Sequence, residues 1–473
     1  MSSLTEQKTT PAERGRLGLP MLTVLAVVVV SGALFGYDQG VISGALDGIR
    51  QEFTLGALLV EVVTSWVTLG ALLGALAGGD LADRVGRKKT VLAAGLLFAA
   101  GALLQAFAPN ASLLVAGRLV VGFGVGVAAV AAPLYGAELA PAALRGRFVS
   151  VYQLAITIGI FLAYLVDEGL ADSSWRLMLG VSLVPGVLLM AVAMVAPESP
   201  RWLVKMGRGR EAEKTMATLT PGSDPAPRLA EIEAALSAEA DKASWAEVFD
   251  RRWRRPLVIA FGLALFQQIT GINAIIYYAD AIFAAAGFAS AAAQTTATTW
   301  AIGAVNVAAT FIAIAFVDRL GRRPLLLAGL TGMGLSLLVV GLAFLAIDPA
   351  TTSGPSAAAG GPTAAGIVTL IALVAFIISF AFSLGPVVWT VISEIFPGRV
   401  RGRAVAAATA VNWGSAFLVS QFFLSLIDAI GVAATFWLFA AFCLIGWLWV
   451  YRTVPETKGR SLEEIERMWK APA

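Results

Sequence analysis

The sequence predicts an all-α integral membrane protein, with twelve transmembrane helices in two parallel-repeat halves of six helices each. Of its 473 residues 58% are hydrophobic and only 14% are charged, whereas soluble domains carry about 25% charged residues. Twelve long apolar runs divide the chain, and three motifs of the first half return in the same order in the second. Together these observations exclude an ordinary water-soluble protein.

The apolar runs have the length that a membrane requires. A helix crosses the roughly 30 Å hydrocarbon layer with about 20 mainly apolar residues. The first run continues past Asp38 without a small-residue cleavage pattern, so we expect a span and not a cleaved signal peptide. The predicted spans are about 21–46, 57–79, 90–108, 112–137, 148–166, 175–196, 256–286, 296–317, 324–347, 366–393, 403–427 and 432–451. The predicted organisation is a segment 1–20, a first bundle 21–196, a charged helical linker 197–255, a second bundle 256–451 and a tail 452–473.

Positive charge is confined to alternate connections between these spans. With the N-terminus inside, all of the 34 Lys and Arg residues except Arg50, Arg118 and Arg176 fall on the inner side. Cytoplasmic loops collect Lys and Arg, so both termini are expected in the cytoplasm. The net charge of +3 therefore reflects topology, and we expect no nucleic-acid partner.

The internal repeat indicates how the spans are arranged. Two six-helix halves in the same orientation are the plan of transporters that rock around a central site. The matching segments are GDLADRVGRKK (79–89) with VDRLGRRP (317–324), YGAELAPAALRGR (135–147) with VISEIFPGRVRGR (391–403), and APESPR (196–201) with VPETKGR (454–460).

The composition also removes most catalytic chemistries. The chain contains no His and a single Cys, Cys443. These counts exclude a Ser-His-Asp triad, an intrachain disulfide and a site of His or several thiolates for a metal. We therefore expect neither an enzyme nor a resident metal or cofactor.

Acids and arginines recur together in the basic loops, at Asp83, Arg84, Arg87, Glu138 and Arg145, and again at Asp318, Arg319, Arg322, Glu394 and Arg401. One interpretation is that they only set topology and form solvated ion pairs, each worth about 0–1 kcal/mol. Topology requires cations, however, and does not require acids at the same repeated positions. The repeat therefore favours a structural role for the pairs.

Polar amides lie deep within the predicted spans. Gln267 lies about 16 Å past Pro256, Asn412 about 16 Å past Arg401, and Asn306 about 18 Å from Asp318, at 1.5 Å per residue. Each amide could simply bond a neighbouring helix. As a set they suit a sugar, because an amide both donates to and accepts from hydroxyl groups. Aromatic faces for the sugar ring are offered by Phe35, Trp389 and Trp413.

Asp38 is an acid within the first span. A charge at a helix centre costs roughly 2.5–3.5 kcal/mol and so calls for a function and a partner. Arg118 lies at a similar predicted depth in the fourth span. The two could form a static ion pair, or a switch in which protonation of Asp38 releases Arg118. Glu61 and Asp280 lie nearer the outer ends of their spans, where we expect vestibule residues.

A family resemblance rests on motifs along nearly the whole chain. They are GYDQGVISGAL (36–46), GDLADRVGRKK (79–89), GRLVVGFGVG (117–126), PLYGAELAPAALRGR (133–147), PESPRWL (197–203), FQQITGINAIIYY (266–278), VDRLGRR (317–323), GPVVW (385–389), SEIFPGRVRG (393–402), NW (412–413) and PETKGR (455–460). The chain resembles the sugar porter family of the major facilitator superfamily, which includes proton–sugar symporters and glucose facilitators.

The resemblance implies the major facilitator fold and a set of site residues. Implied sugar-binding residues are Gln153, Gln267, Gln268, Asn273, Asn306, Trp389 and Asn412, with Tyr277 and Tyr278 toward the outer gate. It also implies that the charged clusters, together with Glu198 and Glu456, link the two halves and close the inner face in the outward-open state. Helix breaks at Gly271 and at Gly385-Pro386 would permit bending during gating.

The position of Asp38 bears on the choice of mechanism, because facilitators typically carry Asn there and proton-coupled members carry Asp. We therefore expect proton-coupled import of a monosaccharide, a hexose or pentose, by a monomer in the lipid bilayer of a bacterial inner membrane. The alternatives are a facilitative uniporter, an inositol or polyol transporter of the same fold, and a transporter-like sugar sensor. The tenth span, FSLGPVVW (382–389), lacks the second proline and the glutamate of the mammalian pattern, so the sugar stays open.

Overall fold

The computed structural model describes residues 18–141, 145–222, 224–238, 245–347, 363–458 and 464, and within these ranges its regular elements are helices. The side chains at 145–147, 149, 238, 315–318 and 398–399 lie outside this description. The described residues contain twelve helical spans that are long and apolar enough to cross a membrane, which confirms the predicted number.

The N-terminal half comprises spans one to six. Its helices are α1 (Leu19–Glu52), α2 (Ala57–Val85), α3 (Arg87–Ala106), α4 (Ala111–Leu139), α5 (Arg145–Gly169), α6 (Trp175–Val181) and α7 (Leu183–Val195). The linker that follows contains α8 (Pro200–Lys205), α9 (Gly209–Leu219), α10 (Ala226–Ala238), α11 (Trp245–Val248) and a 3₁₀ turn (Arg251–Trp253).

The C-terminal half comprises spans seven to twelve. Its helices are α12 (Arg254–Ile269), α13 (Ile272–Tyr277), α14 (Ala279–Ala285), α15 (Ala291–Ala297), a π-helix (Thr298–Ala304), α16 (Val305–Leu320), α17 (Arg322–Leu345), α18 (Ala364–Ala381), α19 (Leu384–Glu394), α20 (Gly398–Ile430) and α21 (Val432–Thr453).

Several spans are interrupted. The seventh breaks at Gly271, whose φ of +95° favours glycine, as predicted. The tenth breaks at Ser383 and not at Gly385-Pro386, because Pro386 stands in the first turn of α19, where a missing N–H breaks no helical hydrogen bond. The interruption of the sixth span and the π-helix in the eighth were not predicted.

Small residues allow α1 to approach α5 closely. Gly32, Gly36, Gly40 and Gly44 recur every fourth residue along α1 and therefore share one face. A Cβ built on Gly36 would lie only 1.9 Å from the carbonyl oxygen of Ile156. Any larger residue there would push α5 away, so this contact fixes the position of α1 and its polar residues.

The two ends of the bundle are distinguished by what they carry. We call the end with α8–α11 and the turns at Gly86 and Gly321 the linker face. The other end, with the turns at residues 53–56, 107–110 and 287–290, is the opposite face. We use the term seam for the part of the boundary between the two halves that lies nearest the opposite face.

Candidate functional site

Asp38 and Arg118 form an ion pair within the N-terminal half. Arg118 Nη1 lies 2.9 Å from Asp38 Oδ1, and the two residues are 0% and 3% exposed, respectively. The guanidinium also donates to the backbone carbonyls of Val63 at 3.1 Å and Thr64 at 3.4 Å. Arg118 therefore ties α1 to α2 as well as neutralising the buried carboxylate.

A chain of amides crosses the C-terminal half at the break in the seventh span. Asn412 on α20 donates to Gln267 Oε1 at 2.6 Å, and its own Oδ1 accepts from Gln268 at 3.2 Å. Gln268 in turn accepts a hydrogen bond of 2.8 Å from Asn273 on α13. Gln267 also donates to the carbonyl of Leu384, 2.7 Å away at the break in the tenth span. Four of the predicted sugar-binding residues are thus brought into one network.

Gln39 extends this network into the other half, and the sequence reasoning missed it. Its Nε2 donates to Asn273 Oδ1 and to the hydroxyl of Tyr277, both at 3.3 Å. The signal was available, because Gln39 is a buried polar residue of the first span directly after Asp38. The same cost argument that singled out Asp38 applies to any unpaired amide in hydrocarbon.

The predicted aromatic residues are brought together in part. Phe35 of α1 and Trp413 of α20 pack with ring centroids 5.3 Å apart, one from each half. Tyr277 and Tyr278 are both 1% exposed, and Tyr278 donates to the carbonyl of Ser420 at 3.1 Å. Trp389 is half-buried against the core that surrounds the amide chain.

Two predicted sugar-binding residues stand apart from the amide chain. Asn306 is 5% exposed on α16, and among the described residues its amide makes no hydrogen bond. Gln153 is half-buried on α5, also without a hydrogen bond to a described residue. Their contact with a sugar therefore stays a prediction.

Polar contacts close the seam. Ser65 of α2 donates to Gln421 Oε1 of α20 at 2.7 Å. Glu61, also on α2, accepts two hydrogen bonds of 2.6 Å from the N–H and hydroxyl of Ser425. Glu61 and Asp280 are 0% and 7% exposed in this conformation, so their place in a vestibule stays a prediction for the state in which the seam is open. The sequence could not reveal that the halves meet over them.

The charged residues of the N-terminal half form a compact cluster at the linker face. Arg87 binds Glu138 through two hydrogen bonds of 2.9 Å and contacts Asp83 at 3.0 Å. Glu198 accepts from the backbone N–H groups of Arg87 at 3.0 Å and Lys88 at 3.1 Å, which begin α3. A carboxylate at this position satisfies free N–H groups and the positive end of the helix dipole.

The C-terminal half repeats this arrangement. Arg322 binds Glu394 at 3.0 Å, and Glu456 accepts from the backbone N–H groups of Arg322 at 3.0 Å and Arg323 at 3.1 Å. Thr457 donates to Glu394 at 2.6 Å. The internal sequence repeat is therefore also a repeat of hydrogen bonds.

These described pairs join helices of the same half. Arg401 donates to the carbonyl of Phe396 at 3.0 Å, and Arg84 is exposed. The side chains of Arg145 and Asp318 lie outside the described residues. The predicted latch between the two halves, which belongs to another conformation, therefore stays a prediction.

The turn before each cluster requires glycine. Gly86 and Gly321 have φ of +103° and +89°, which L side chains rarely adopt. A Cβ on Gly86 would lie 2.4 Å from Glu198 Oε2, and one on Gly321 would lie 2.9 Å from Glu456 Oε2.

Partial burial raises the pKa of the Glu456 carboxyl, but hydrogen bonds from four backbone N–H groups lower it by more, so its pKa falls below the ordinary value.

Comparisons with known proteins agree on one family. The family described as "Sugar (and other) transporter" matches residues 24–469. The chain is 39% identical to the arabinose-proton symporter of Escherichia coli K12 over 98% of this chain and 96% of that protein. It is 39% identical to the galactose-proton symporter of the same organism, over 94% and 93%. A partially occluded inward-open structure of the E. coli xylose transporter superposes with a TM-score of 0.80 at 28% identity, covering 94% of this chain and all of that one.

Proposed function

The chain belongs to the sugar transporter family, and from this premise we propose that it imports a monosaccharide together with a proton by alternating access. Arabinose, galactose and xylose, which the relatives' names give, are the sugars to test first. The proton is the coupling ion, and Asp38 is the residue that binds it.

One observation carries this proposal: the proton site and the sugar site are joined through neighbouring residues. Asp38 pairs with Arg118, while the next residue, Gln39, donates to Asn273 in the amide chain. A movement of α1 that follows protonation of Asp38 must therefore also move Gln39. Occupancy of the proton site therefore affects the sugar site, and such an interaction between two sites is the condition for coupled transport.

The amide chain supplies the chemistry for a sugar. Each amide presents a donor and an acceptor on one group, as the hydroxyls of a monosaccharide require. In this conformation the amides Gln267, Gln268, Asn273 and Asn412 bond one another. A bound sugar would exchange these bonds for bonds to its hydroxyls, and Trp389 or Trp413 would cover its apolar face.

Topology gives the direction of the cycle. The distribution of Lys and Arg supports a cytoplasmic linker face with both termini inside. Because the seam is closed by the bonds of Ser65 and Glu61, the present conformation is then closed to the outer side, as the inward-facing state of the cycle requires. Protonation of Asp38 from the outer side would loosen the pair with Arg118 and permit the opposite conformation to convert to this one.

The decisive experiment replaces Asp38 by Asn in protein reconstituted into liposomes. Labelled arabinose, galactose and xylose are offered with an inward proton gradient, and accumulation is compared with counterflow exchange at equal pH. We expect Asp38→Asn to abolish accumulation above equilibrium while counterflow continues, because the amide preserves the shape but cannot bind the proton.

The exposed acid Asp172, replaced by Asn, is the matched control and should accumulate sugar like the unchanged protein. Undiminished accumulation in Asp38→Asn would contradict proton coupling through this residue. If the unchanged protein equilibrates the sugars but never concentrates them, the facilitative alternative is correct.

A further inference from the structure

Two more carboxylates are buried in the seam, and the function proposed above does not use them. Asp167, near the end of α5, is 2% exposed, and Asp280, near the start of α14, is 7% exposed. They belong to different halves of the molecule. A role for them must therefore involve the contact between the halves.

Consecutive residues of α1 lie between these two acids. The backbone N–H of Gly44 donates to Asp167 Oδ2 at 3.2 Å. The hydroxyl of Ser43 accepts from the backbone N–H of Asp280 at 3.1 Å. A Cβ on Gly44 would lie 2.6 Å from the Cβ and Cγ atoms of Asp167, so α1 is pressed directly against this carboxylate.

Among the described residues, Asp167 receives fewer hydrogen bonds than a buried carboxylate needs. Its Oδ1 is buried and has no hydrogen-bond partner among the described residues. Asp280 accepts from the hydroxyl of Thr298, at the start of the π-helix. Glu61 in the same seam shows the contrast, because both of its oxygens accept hydrogen bonds from Ser425.

The surroundings supply no compensating positive charge within the described residues. The titratable groups that interact electrostatically with the two acids are Tyr37 and Asp47 on α1 and Tyr164 on α5, and none of these three is a cation. Glu168, the next residue on α5, accepts from Thr296 at the surface. An isolated carboxylate in a low-dielectric region is strongly unfavourable, and a second one nearby makes it more so.

We propose that Asp167 and Asp280 form a second proton-binding site, which holds a proton while the seam is closed and releases it to water on the opposite face when the seam opens. On closing, one carboxylate oxygen takes a proton from that water, and on opening the O–H bond breaks and the proton returns there. The proton does not cross the membrane, because the site is sealed while the molecule faces inward. Asp38 binds the transported proton, whereas this pair makes closure of the seam depend on external pH.

The inference rests on the alternating access of the proposed function, and its test is made in an Asp38→Asn background so that the transported proton is absent. Spin labels on cysteines introduced at Leu58 of α2 and Ile430 of α20 report the seam, since both positions are exposed and flank the bond between Glu61 and Ser425. Distance distributions are recorded between pH 5 and 9 on the full chain in lipid nanodiscs.

In Asp38→Asn we expect the ratio of open to closed seam to rise with pH, by up to about tenfold per pH unit within the titration range. Adding Asp167→Asn and Asp280→Asn should remove this dependence and leave the ratio constant within about twofold, because amides cannot ionise. Adding Glu168→Gln instead should leave the dependence intact.

A flat response in Asp38→Asn alone, or a pH dependence that survives replacement of both acids, would overturn the inference. Each single replacement is measured as well, so that the result does not depend on one variant folding. Proton-coupled accumulation is a separate readout, and its loss or survival in Asp38→Asn decides the proposed function without deciding this one.

Discussion

The two halves are alike at the linker face and different inside the membrane. At the linker face each half uses an arginine bound to a glutamate and a second glutamate at a helix N-terminus, in Arg87, Glu138 and Glu198 and in Arg322, Glu394 and Glu456. Inside, the N-terminal half holds an ion pair and the C-terminal half holds a chain of amides. The two halves therefore share the same charged clusters at the linker face but differ in the chemistry we propose for them. The N-terminal half would bind the proton, and the C-terminal half would bind the sugar.

The largest effect is expected from breaking the ion pair of the N-terminal half. Arg118→Ala would leave Asp38 buried without its cation and should lower the free energy of unfolding by about 3–5 kcal/mol. Adding Asp38→Asn should restore more than half of this loss, because the uncompensated charge is removed. Thermal unfolding of the purified variants in detergent measures both, and a double variant no more stable than Arg118→Ala would show that the carbonyl contacts to Val63 and Thr64 dominate.

A smaller effect, on binding, is expected in the C-terminal half. Asn412→Ala removes an amide that would bind a sugar hydroxyl, and it should weaken sugar binding about 10- to 100-fold, since a buried hydroxyl left without its partner costs about 1–3 kcal/mol. Isothermal titration with each sugar measures this loss. Ser415→Ala on the same helix removes only a bond to the carbonyl of Val411 and is the matched control.

A second property of Asn412→Ala, the pH dependence of its seam, tests whether sugar binding and proton binding occur at separate sites. Asn412→Ala should keep the pH dependence of the seam, as reported by the labels at Leu58 and Ile430, because Asp167 and Asp280 are unchanged. A loss of both sugar binding and pH dependence would show that the amide chain and the pair Asp167 and Asp280 do not act as separate sites.

The smallest effect is expected at the linker face, where the two halves have the same arrangement of charged residues. Glu456→Gln and Glu198→Gln should each lower stability at pH 7 by no more than about 1 kcal/mol and by similar amounts, because each removes a charge from a partly exposed helix N-terminus. The folded pKa of Glu456 lies below the unfolded value of about 4.3. Its contribution is therefore complete above that value and is lost as the pH falls through the folded pKa. Unfolding scans from pH 3 to 7 test this, and a Glu456→Gln deficit that does not shrink as the pH falls would contradict it.

The architecture was predictable because a bilayer leaves few alternatives. Length and hydropathy required twelve helices, and the pairing of Asp38 with Arg118 followed from the cost of a buried charge at similar depth. The amide chain was predictable only as a common depth, since depth does not determine which neighbours an amide meets.

What sequence reasoning missed depends on how the two halves meet. The roles of Glu61 and Asp167 come from the seam, and periodicity along one helix carries no information about the partner helix. Gln39, by contrast, could have been identified as a polar residue of the first span beside Asp38. The break in the tenth span was predicted at Gly385-Pro386 but lies at Ser383. A proline is also well tolerated in the first turn of a helix, so its presence does not tell whether a helix ends or begins there. Contacts that form in only one conformation leave no signal in the hydrophobic pattern.

The short bond between Ser65 and Gln421 offers a practical consequence. It joins α2 and α20 at 2.7 Å, directly across the boundary that must part during transport. Because the chain has no histidine and its one cysteine is buried, it offers no competing imidazole site for a transition metal. Ser65→His with Gln421→His would therefore create a chelating pair, and nickel or zinc would clamp the transporter in a single state that a chelator then releases. Such a reversible clamp would supply a homogeneous sample for crystallisation or for raising state-specific antibodies.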